Sequence, residues 1–176
     1  STTFTGTSIL DGVYTATQSS PGEGGGIVAY YAFDNNPNSH AGEITAYNYT
    51  TGNYTGSKST AVKNLVTNVN TSYSGEWFQI GLPNALSLNS FGLMGRQDVN
   101  LVLERTPTTF YIAGSNDGST WNLLHTATGV NDWTSADKYF VCNGPNGNPA
   151  SKYSYFRLIT MATNGGTSVN ITNLNL

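Results

Sequence analysis

The amino-acid sequence predicts an all-β protein, an antiparallel β-sandwich that folds as a single domain. Short segments alternate apolar and polar residues with a period of two, and Gly, Asn and Asp turns separate them. No stretch shows the periodicity of an amphipathic helix. The 176 residues fit one domain, and the 38% that are hydrophobic are enough to fill its core.

The chain carries few charges, and Ser, Thr, Asn, Gly and Tyr fill its surface instead. Charged residues make up 10% of the sequence, and the formal net charge is −3. This composition is typical of secreted or particle-surface β proteins, so we expect an extracellular or virion-surface location. The sequence has no basic run, so we expect no nucleic-acid partner. Its apolar runs are too short to span a bilayer, so we expect no membrane insertion.

The first 26 residues allow two interpretations. Residues 1–20 are rich in Thr and Ser with two short apolar pairs, and residues 21–26, PGEGGG, form a flexible turn. The domain therefore spans residues 1–176, and residues 1–26 are either edge strands or an N-terminal extension.

The stretch that best defines the fold is residues 110–121, FYIAGSNDGSTW. It opens as an alternating strand in which Phe110 and Ile112 point to the same face. The Asn-Asp-Gly segment at 116–118 supplies a tight turn, because Asn and Asp tolerate positive φ and Gly adopts it freely. Trp121 follows where the chain re-enters a strand. Before this hairpin, residues 99–103 also alternate as a strand.

Several segments, taken in order, resemble discoidin-type domains, which are also called factor V/VIII type C or galactose-binding-like domains. The resemblance implies a discoidin-like jelly roll, close to bacterial carbohydrate-binding modules. The segments NYTTG and YSGEW also look like copies in structural proteins of large algal viruses. The matching segments are AFDNNPNS at 32–39, GEWFQI at 75–80, GRQD at 95–98, the hairpin at 110–121, YSYFRLIT at 153–160 and TNLNL at 172–176.

The loop at 32–39 is dense in oxygen ligands, which suits calcium. Taken alone, it is equally an Asx-rich turn stiffened by Pro37. In the family such a loop binds a structural calcium ion, and the terminal strand closes the site with a carbonyl and a Glu. Asn stands at the Glu position here, which leaves one carboxylate and predicts weak affinity. The resemblance implies as ligands Tyr31 through its carbonyl, Asp34, Asn36, Ser39, Thr172 through its carbonyl, and Asn173.

The GRQD segment implies a sugar site at Arg96. In sugar-binding members the matching Arg hydrogen-bonds sugar hydroxyls, and a planar guanidinium suits vicinal hydroxyls. The alternative is an Arg paired at the rim with Asp98 or Glu104. The family often continues with an Asn-Gly that helps to hold the sugar, and Asn100 lies near that place without the Gly.

Two further residues are candidates for the same site on residue type and loop position. Trp133 lies in a polar loop, where a Trp either tucks against the core or is exposed as a platform on which a sugar ring stacks. His40 directly follows the predicted calcium loop.

The sequence lacks catalytic motifs, with no Ser-His-Asp order, no HExxH and no paired-carboxylate motif. We therefore expect a non-catalytic module that binds glycan on a cell surface. One copy would bind weakly, so we expect the module to act as an oligomer or within a larger particle. The alternative is a structural module that makes protein contacts in a virion or fibre. A membrane-binding role would need exposed apolar residues on loops, and no convincing pair is present beyond Trp133.

Overall fold

The computed structural model confirms the β-sandwich, and it describes residues 2–6, 12–23, 28–96, 102–134, 136–142 and 151–176. Within these residues two 3-10 helices of four residues each, Ala29–Ala32 and Val102–Arg105, interrupt an otherwise all-strand structure. No helix in the described part is long and apolar enough to cross a membrane. The strands are β1 (Thr2–Gly6), β2 (Gly12–Gln18), β3 (Ala41–Thr45), β4 (Ser59–Asn64), β5 (Val69–Ser74), β6 (Glu76–Leu86), β7 (Ser90–Gly95), β8 (Pro107–Ser115), β9 (Trp121–Ala127), β10 (Lys138–Val141), β11 (Tyr153–Thr163) and β12 (Ser168–Asn175).

Two sheets form the layers of the sandwich. The larger has the order β1-β2-β6-β11-β8-β9-β4-β5, and the smaller has the order β10-β7-β12-β3. β1 lies at one edge of the larger sheet, and β2 pairs with β6, so residues 12–18 are part of the sandwich. Neighbouring strands are antiparallel except β4 and β9, which pair in parallel over two residues, beginning with Val62 opposite Trp121.

The main core lies between the two sheets. Apolar side chains from both sheets point into this layer, and the largest fully buried ones come from both sheets. Burying a side chain of this size contributes about 1.5–3 kcal/mol, so this layer dominates the stability of the fold. The large buried side chains include Phe78, Phe110, Phe156 and Leu158 from the larger sheet and Phe91, Leu93 and Ile171 from the smaller one.

A second, smaller cluster covers the other face of the larger sheet. It is built on Val62, Ile159 and Trp121, so the Trp that closes the central hairpin anchors this outer core. The guanidinium of Arg157 lies between the rings of Trp77 and Trp121, 3.9 and 4.1 Å from their centroids. Burial between the rings lowers the pKa of Arg157 to about 10.

The central hairpin forms as the sequence predicts. β8 and β9 pair through a turn in which Asp117 accepts hydrogen bonds from the N–H groups of Ser119 and Thr120, at 2.8 and 2.7 Å. Gly118 has a φ of 71°, the left-handed conformation that the turn requires. The hydrogen bonds from Thr120 and Ser119 hold the pKa of Asp117 well below its ordinary value.

The prediction of a strand at 99–103 is wrong where the structure describes it. Residues 102–105 form the second 3-10 helix instead, closed by the Thr106 N–H donating to the Leu103 carbonyl. Residues 97–101 lie outside the described residues. Five residues make less than two turns of a 3-10 helix, so alternation over so short a segment does not separate a strand from such a turn.

Candidate functional site

A bulge in β3 sets the position of the candidate site. The pairing of β3 with β12 shifts register between Val169 and Asn170, so Glu43 is an extra residue in its strand. Gly42 precedes it at a φ of 112°, and a Cβ there would lie 2.1 Å from the Val169 carbonyl oxygen, which leaves room only for Gly. Glu43 itself has a φ of 52°, which is uncommon for a residue with a side chain. The bulge therefore redirects the Glu43 side chain away from the regular pleat.

The Glu43 carboxylate meets three basic side chains. Its Oε1 lies 2.5 Å from Nη1 of Arg96, 3.5 Å from Nη1 of Arg105 and 3.6 Å from Nε2 of His40. Arg96 directly follows β7, His40 directly precedes β3, and Arg105 ends the second 3-10 helix. We call Glu43, His40, Arg96 and Arg105 the Glu43 cluster. It places a carboxylate that accepts hydrogen bonds beside guanidinium groups that donate them.

The structure brings two of the predicted sugar-site residues, Arg96 and His40, into this one cluster. Glu43 is a carboxylate partner of Arg96 that the sequence did not suggest, and the Arg96 side chain is 12% exposed. Asn100 and Asp98 lie outside the described residues. Sequence reasoning missed both Glu43 and Arg105. The available signal was the Gly before Glu43, which is typical of a bulge, but its partner strand is far away in sequence.

The prediction of Trp133 as a stacking platform is wrong. Its side chain is 6% exposed and belongs to the main core, where its ring lies 6.5 Å from that of Phe110 and 6.2 Å from that of Phe140. Its Nε1–H donates a 3.0 Å hydrogen bond to the Pro107 carbonyl. The polar residues around Trp133 suggested an exposed loop, but the indole gains a buried acceptor together with a large apolar contact area.

An exposed aromatic residue lies in a turn that is linked by hydrogen bonds to elements near the Glu43 cluster. Tyr49 is 68% exposed, in the turn that follows β3. That turn is tied to the end of β11, where the β11–β12 loop begins, because the Thr163 N–H donates to the Gly52 carbonyl at 2.9 Å. The β11–β12 loop in turn contacts the second 3-10 helix, where the Gly166 N–H donates to the Glu104 carbonyl at 2.8 Å. The β11–β12 loop therefore connects the turn that carries Tyr49 to the 3-10 helix that carries Arg105.

The predicted calcium loop is held by its own side chains. Asp34 accepts the Asn36 N–H at 3.0 Å and the Ser39 hydroxyl at 2.8 and 3.0 Å through its two oxygens. The Ser39 hydroxyl also lies 3.0 Å from the Asn36 carbonyl, so it could turn its proton there and face a cation with its oxygen. Tyr31 is part of the first 3-10 helix, which leads into the loop.

The terminal strand closes against this loop, as the resemblance implies. The Asn173 side-chain amide donates to Asn35 Oδ1 at 3.0 Å, and its own Oδ1 is buried without a hydrogen-bond partner. An orphaned buried oxygen of this kind suits a cation. Thr172 is also buried, with its hydroxyl oxygen unpartnered. Among the described residues no three His, Cys, Asp or Glu side chains gather as a metal site. The residues present therefore fit a cation held by one carboxylate and several neutral oxygens.

The fold and the sequence together define the class of domain. The chain belongs to the F5/8 type C domain family, whose model matches residues 15–173. This confirms the discoidin-type resemblance. A search of the curated proteins found no match to the sequence.

Several solved structures with the same fold are carbohydrate-binding modules, at low sequence identity to this chain. CpGH89CBM32-5 from Clostridium perfringens, in complex with GalNAc-β-1,3-galactose, superposes with a TM-score of 0.61 at 15% identity, covering 92% of this chain and 93% of that one. The family 32 module of NanJ from C. perfringens, in complex with galactose, gives 0.59 at 17%, covering 92% and 91%. The CBM32 of AlyQ, in complex with 4,5-unsaturated mannuronic acid, gives 0.56 at 14%, covering 91% of each chain. At these identities the likeness shows the fold.

Proposed function

We propose that the chain is a non-catalytic carbohydrate-binding module that serves cell-surface adhesion within a larger extracellular or virion-surface protein. The observation that carries the proposal is the Glu43 cluster, in which one carboxylate lies within 3.6 Å of three basic side chains. Modules with the same fold hold galactose, a GalNAc-galactose disaccharide and an unsaturated mannuronic acid. These likenesses support a sugar as the ligand.

The cluster has the chemistry that a sugar requires. A saccharide hydroxyl donates one hydrogen bond and accepts others, so Glu43 can accept from one hydroxyl while Arg96 donates to its neighbour. The apolar face of the ring needs an aromatic side chain, and Trp133 is buried. In this proposal Tyr49, on the adjoining loop, supplies that face. A shallow site of this kind binds weakly, so useful adhesion needs several copies in an oligomer or a particle.

Calcium has a structural part in this proposal. Asp34, Asn36, Ser39 and Asn173 would hold it, with the carbonyls of Tyr31 and Thr172. The ion supplies hard positive charge that draws oxygen ligands together. Here those ligands come from the loop after the first 3-10 helix and from β12. Because Ser39 directly precedes His40, the same ligands would also fix one end of the Glu43 cluster.

A glycan-array screen, run with and without a chelator and followed by calorimetric titration of the best saccharide, tests the proposal. We expect binding that Arg96→Gln abolishes and Tyr49→Ala weakens by about tenfold, since stacking on an aromatic residue contributes about 1 kcal/mol or more. Tyr139→Ala is the matched control for Tyr49, because Tyr139 is 72% exposed but lies on β10 opposite Gly92. Absence of any binding in the array, or binding that survives Arg96→Gln, would contradict the proposed site.

A second function, protein contact within a particle, is favoured by β10. This strand lies at the edge of the smaller sheet, and Tyr139 and Val141 on it are 72% and 74% exposed. An edge strand with exposed apolar side chains is a template for pairing with another chain. If this function holds, light scattering will show self-association that Val141→Lys abolishes. A monomer at all accessible concentrations would remove the support for self-pairing through β10.

A further inference from the structure

We infer that the ligand is an acidic saccharide, and that Arg105 binds its carboxylate. The inference rests on the proposed function and names the ligand class of the same site. It starts from the geometry of Arg105, which the sugar chemistry of Arg96 and Glu43 does not use.

The backbone around Arg105 is firmly held, while its guanidinium is not. The second 3-10 helix places Arg105 at its last residue, and its aliphatic stem packs on Gly166, where a Cβ would lie 3.0 Å from Arg105 Cγ. Gly166 is fixed by its hydrogen bond to the Glu104 carbonyl, and the Asn164 N–H donates to the Thr106 carbonyl at 3.1 Å. The stem of the side chain is therefore ordered before any ligand arrives, which lowers the entropy cost of binding.

The guanidinium of Arg105 uses few of its hydrogen-bond donors. Among the described residues its one carboxylate contact is to Glu43, through Nη1 alone and at 3.5 Å. Glu43 lies closer to Arg96, at 2.5 Å, so its electrostatic interaction with Arg105 is the weaker of the two. An Arg carries five N–H donors in a planar fork that matches a carboxylate with two parallel hydrogen bonds. With 34% of the Arg105 side chain exposed, this fork is open to solvent beside the cluster.

This arrangement discriminates between neutral and acidic sugars. A neutral ring that covers Arg105 removes water from a charged group without replacing it by a charge, which is unfavourable. A ring with a carboxylate supplies the missing partner, and the resulting hydrogen bonds are charge-assisted and short. Glu43 adds a second selection, because it repels a carboxylate placed on its own side and so orients the acid group toward Arg105.

Calorimetric titration with matched trisaccharides tests the inference. The probes are trimers of galacturonic, mannuronic and glucuronic acid, each paired with the neutral trimer of galactose, mannose or glucose. We expect at least one acid to bind about tenfold more tightly than its neutral partner, as one charge-assisted bidentate contact predicts. That preference should shrink as salt is raised, because a partly exposed ion pair is screened.

The variant Arg105→Gln should abolish the acid preference, so that each acidic trimer binds no more tightly than its neutral partner. Lys152→Gln is the charge-matched control, since Lys152 is exposed and directly precedes β11, whereas Arg105 lies near the far end of that strand, where Thr163 pairs with Pro107. If neutral trimers bind as tightly as their acidic partners, the inference is overturned and the proposed function stands. If no trimer and no array glycan binds, the proposed function fails with it. Retention of the acid preference in Arg105→Gln would place the carboxylate elsewhere.

Discussion

Glu43 and Arg96 are 53 residues apart in sequence, yet the carboxylate of one lies 2.5 Å from the guanidinium of the other. The bulge in β3 makes this contact possible, since it holds Glu43 at a φ of 52°. A left-handed conformation costs about 1–2 kcal/mol in a residue with a Cβ. The ion pairs with Arg96 and Arg105 offset part of that cost. The strained backbone at Glu43 is therefore stabilised by the same contacts that form the Glu43 cluster.

Replacing Glu43 by Gln keeps the shape of the side chain and removes its charge. We expect the free energy of unfolding to fall by about 1 kcal/mol, as for a partly exposed ion pair. We also expect acidic trisaccharides to bind more tightly, because their carboxylate no longer competes with Glu43 for the arginines. Asp132→Asn, which removes one negative charge from the loop before β10, should leave binding unchanged. Weaker binding of acidic sugars by Glu43→Gln would contradict this competition, and would leave the hydrogen bond that Glu43 accepts from a sugar hydroxyl as its main contribution.

Trp133 should affect stability and not binding. Trp133→Phe removes the hydrogen bond to the Pro107 carbonyl and leaves a small cavity, so we expect a loss of about 1–3 kcal/mol in the free energy of unfolding. Chemical denaturation measures that loss, and titration at a temperature where the variant is folded measures affinity. A variant that keeps its stability but loses sugar affinity would restore Trp133 to the binding site.

His125 should make the fold sensitive to mild acid. Its ring is buried against Phe91, Phe110 and Phe140, none of which carries a charge, and this burial lowers its pKa from the ordinary 6.5. The unfolded chain therefore takes up a proton at higher pH than the folded chain does. Stability is full above pH 6.5 and falls as the pH drops through the folded-state pKa.

Melting temperatures measured from pH 7.5 down to about 4.5 test this sign, because that range extends from above to well below the ordinary His pKa. His125→Leu, which is close in volume, should flatten the part of the profile between pH 6.5 and the onset of carboxylate titration. If His125→Leu retains the acid sensitivity, another group is responsible.

A cation in the Asp34 loop should raise the melting temperature by mass action, because only the folded chain presents the site. We expect added Ca²⁺ to stabilise the wild type in the millimolar range, since one carboxylate gives modest affinity. Chelator should reverse the effect, and Asp34→Asn should abolish it. Asp132→Asn serves again as the control. Asp132 lies in the loop before β10 and not in the Asp34 loop, and its Oδ2 lies 2.6 Å from Lys138 Nζ. A wild type whose melting is indifferent to both Ca²⁺ and chelator would exclude the predicted ligand set.

Sequence patterns predicted the structure correctly where it depends on residues that are close together in the chain. The hairpin at 110–121 follows from alternation and an Asn-Asp-Gly turn, and the structure shows Asp117 making the turn contacts that this chemistry requires. The loop at 32–39 and the terminal strand were recognised as family segments, and the structure places Asn173 against Asn35.

What the sequence could not supply depends on contacts between distant strands. Only the Gly before Glu43 hints at a bulge, and the role of Glu43 comes from a register shift against β12, which is far away in sequence. Arg105 lies just after the predicted strand at 99–103, where five alternating residues do not exclude a 3-10 turn, so nothing in the sequence pointed to its contact with Glu43. The polar surroundings of Trp133 gave no sign of the Pro107 carbonyl that accepts its N–H. For each of these three residues, the sequence did not show which distant residue it contacts.

The central claim is that a saccharide binds at Arg96 and Arg105, and arginine side-chain NMR tests it most directly. The chain has three arginines, so a spectrum of Arg Nε–H groups contains three assignable signals. Arg157 is the internal control, because its guanidinium is held between Trp77 and Trp121 on the outer face of the larger sheet. Titration with the best-binding trisaccharide should shift the Arg96 and Arg105 signals in a saturable manner and leave Arg157 in place. Saturable binding that leaves Arg96 and Arg105 unmoved, or that shifts Arg157 alone, would contradict the account.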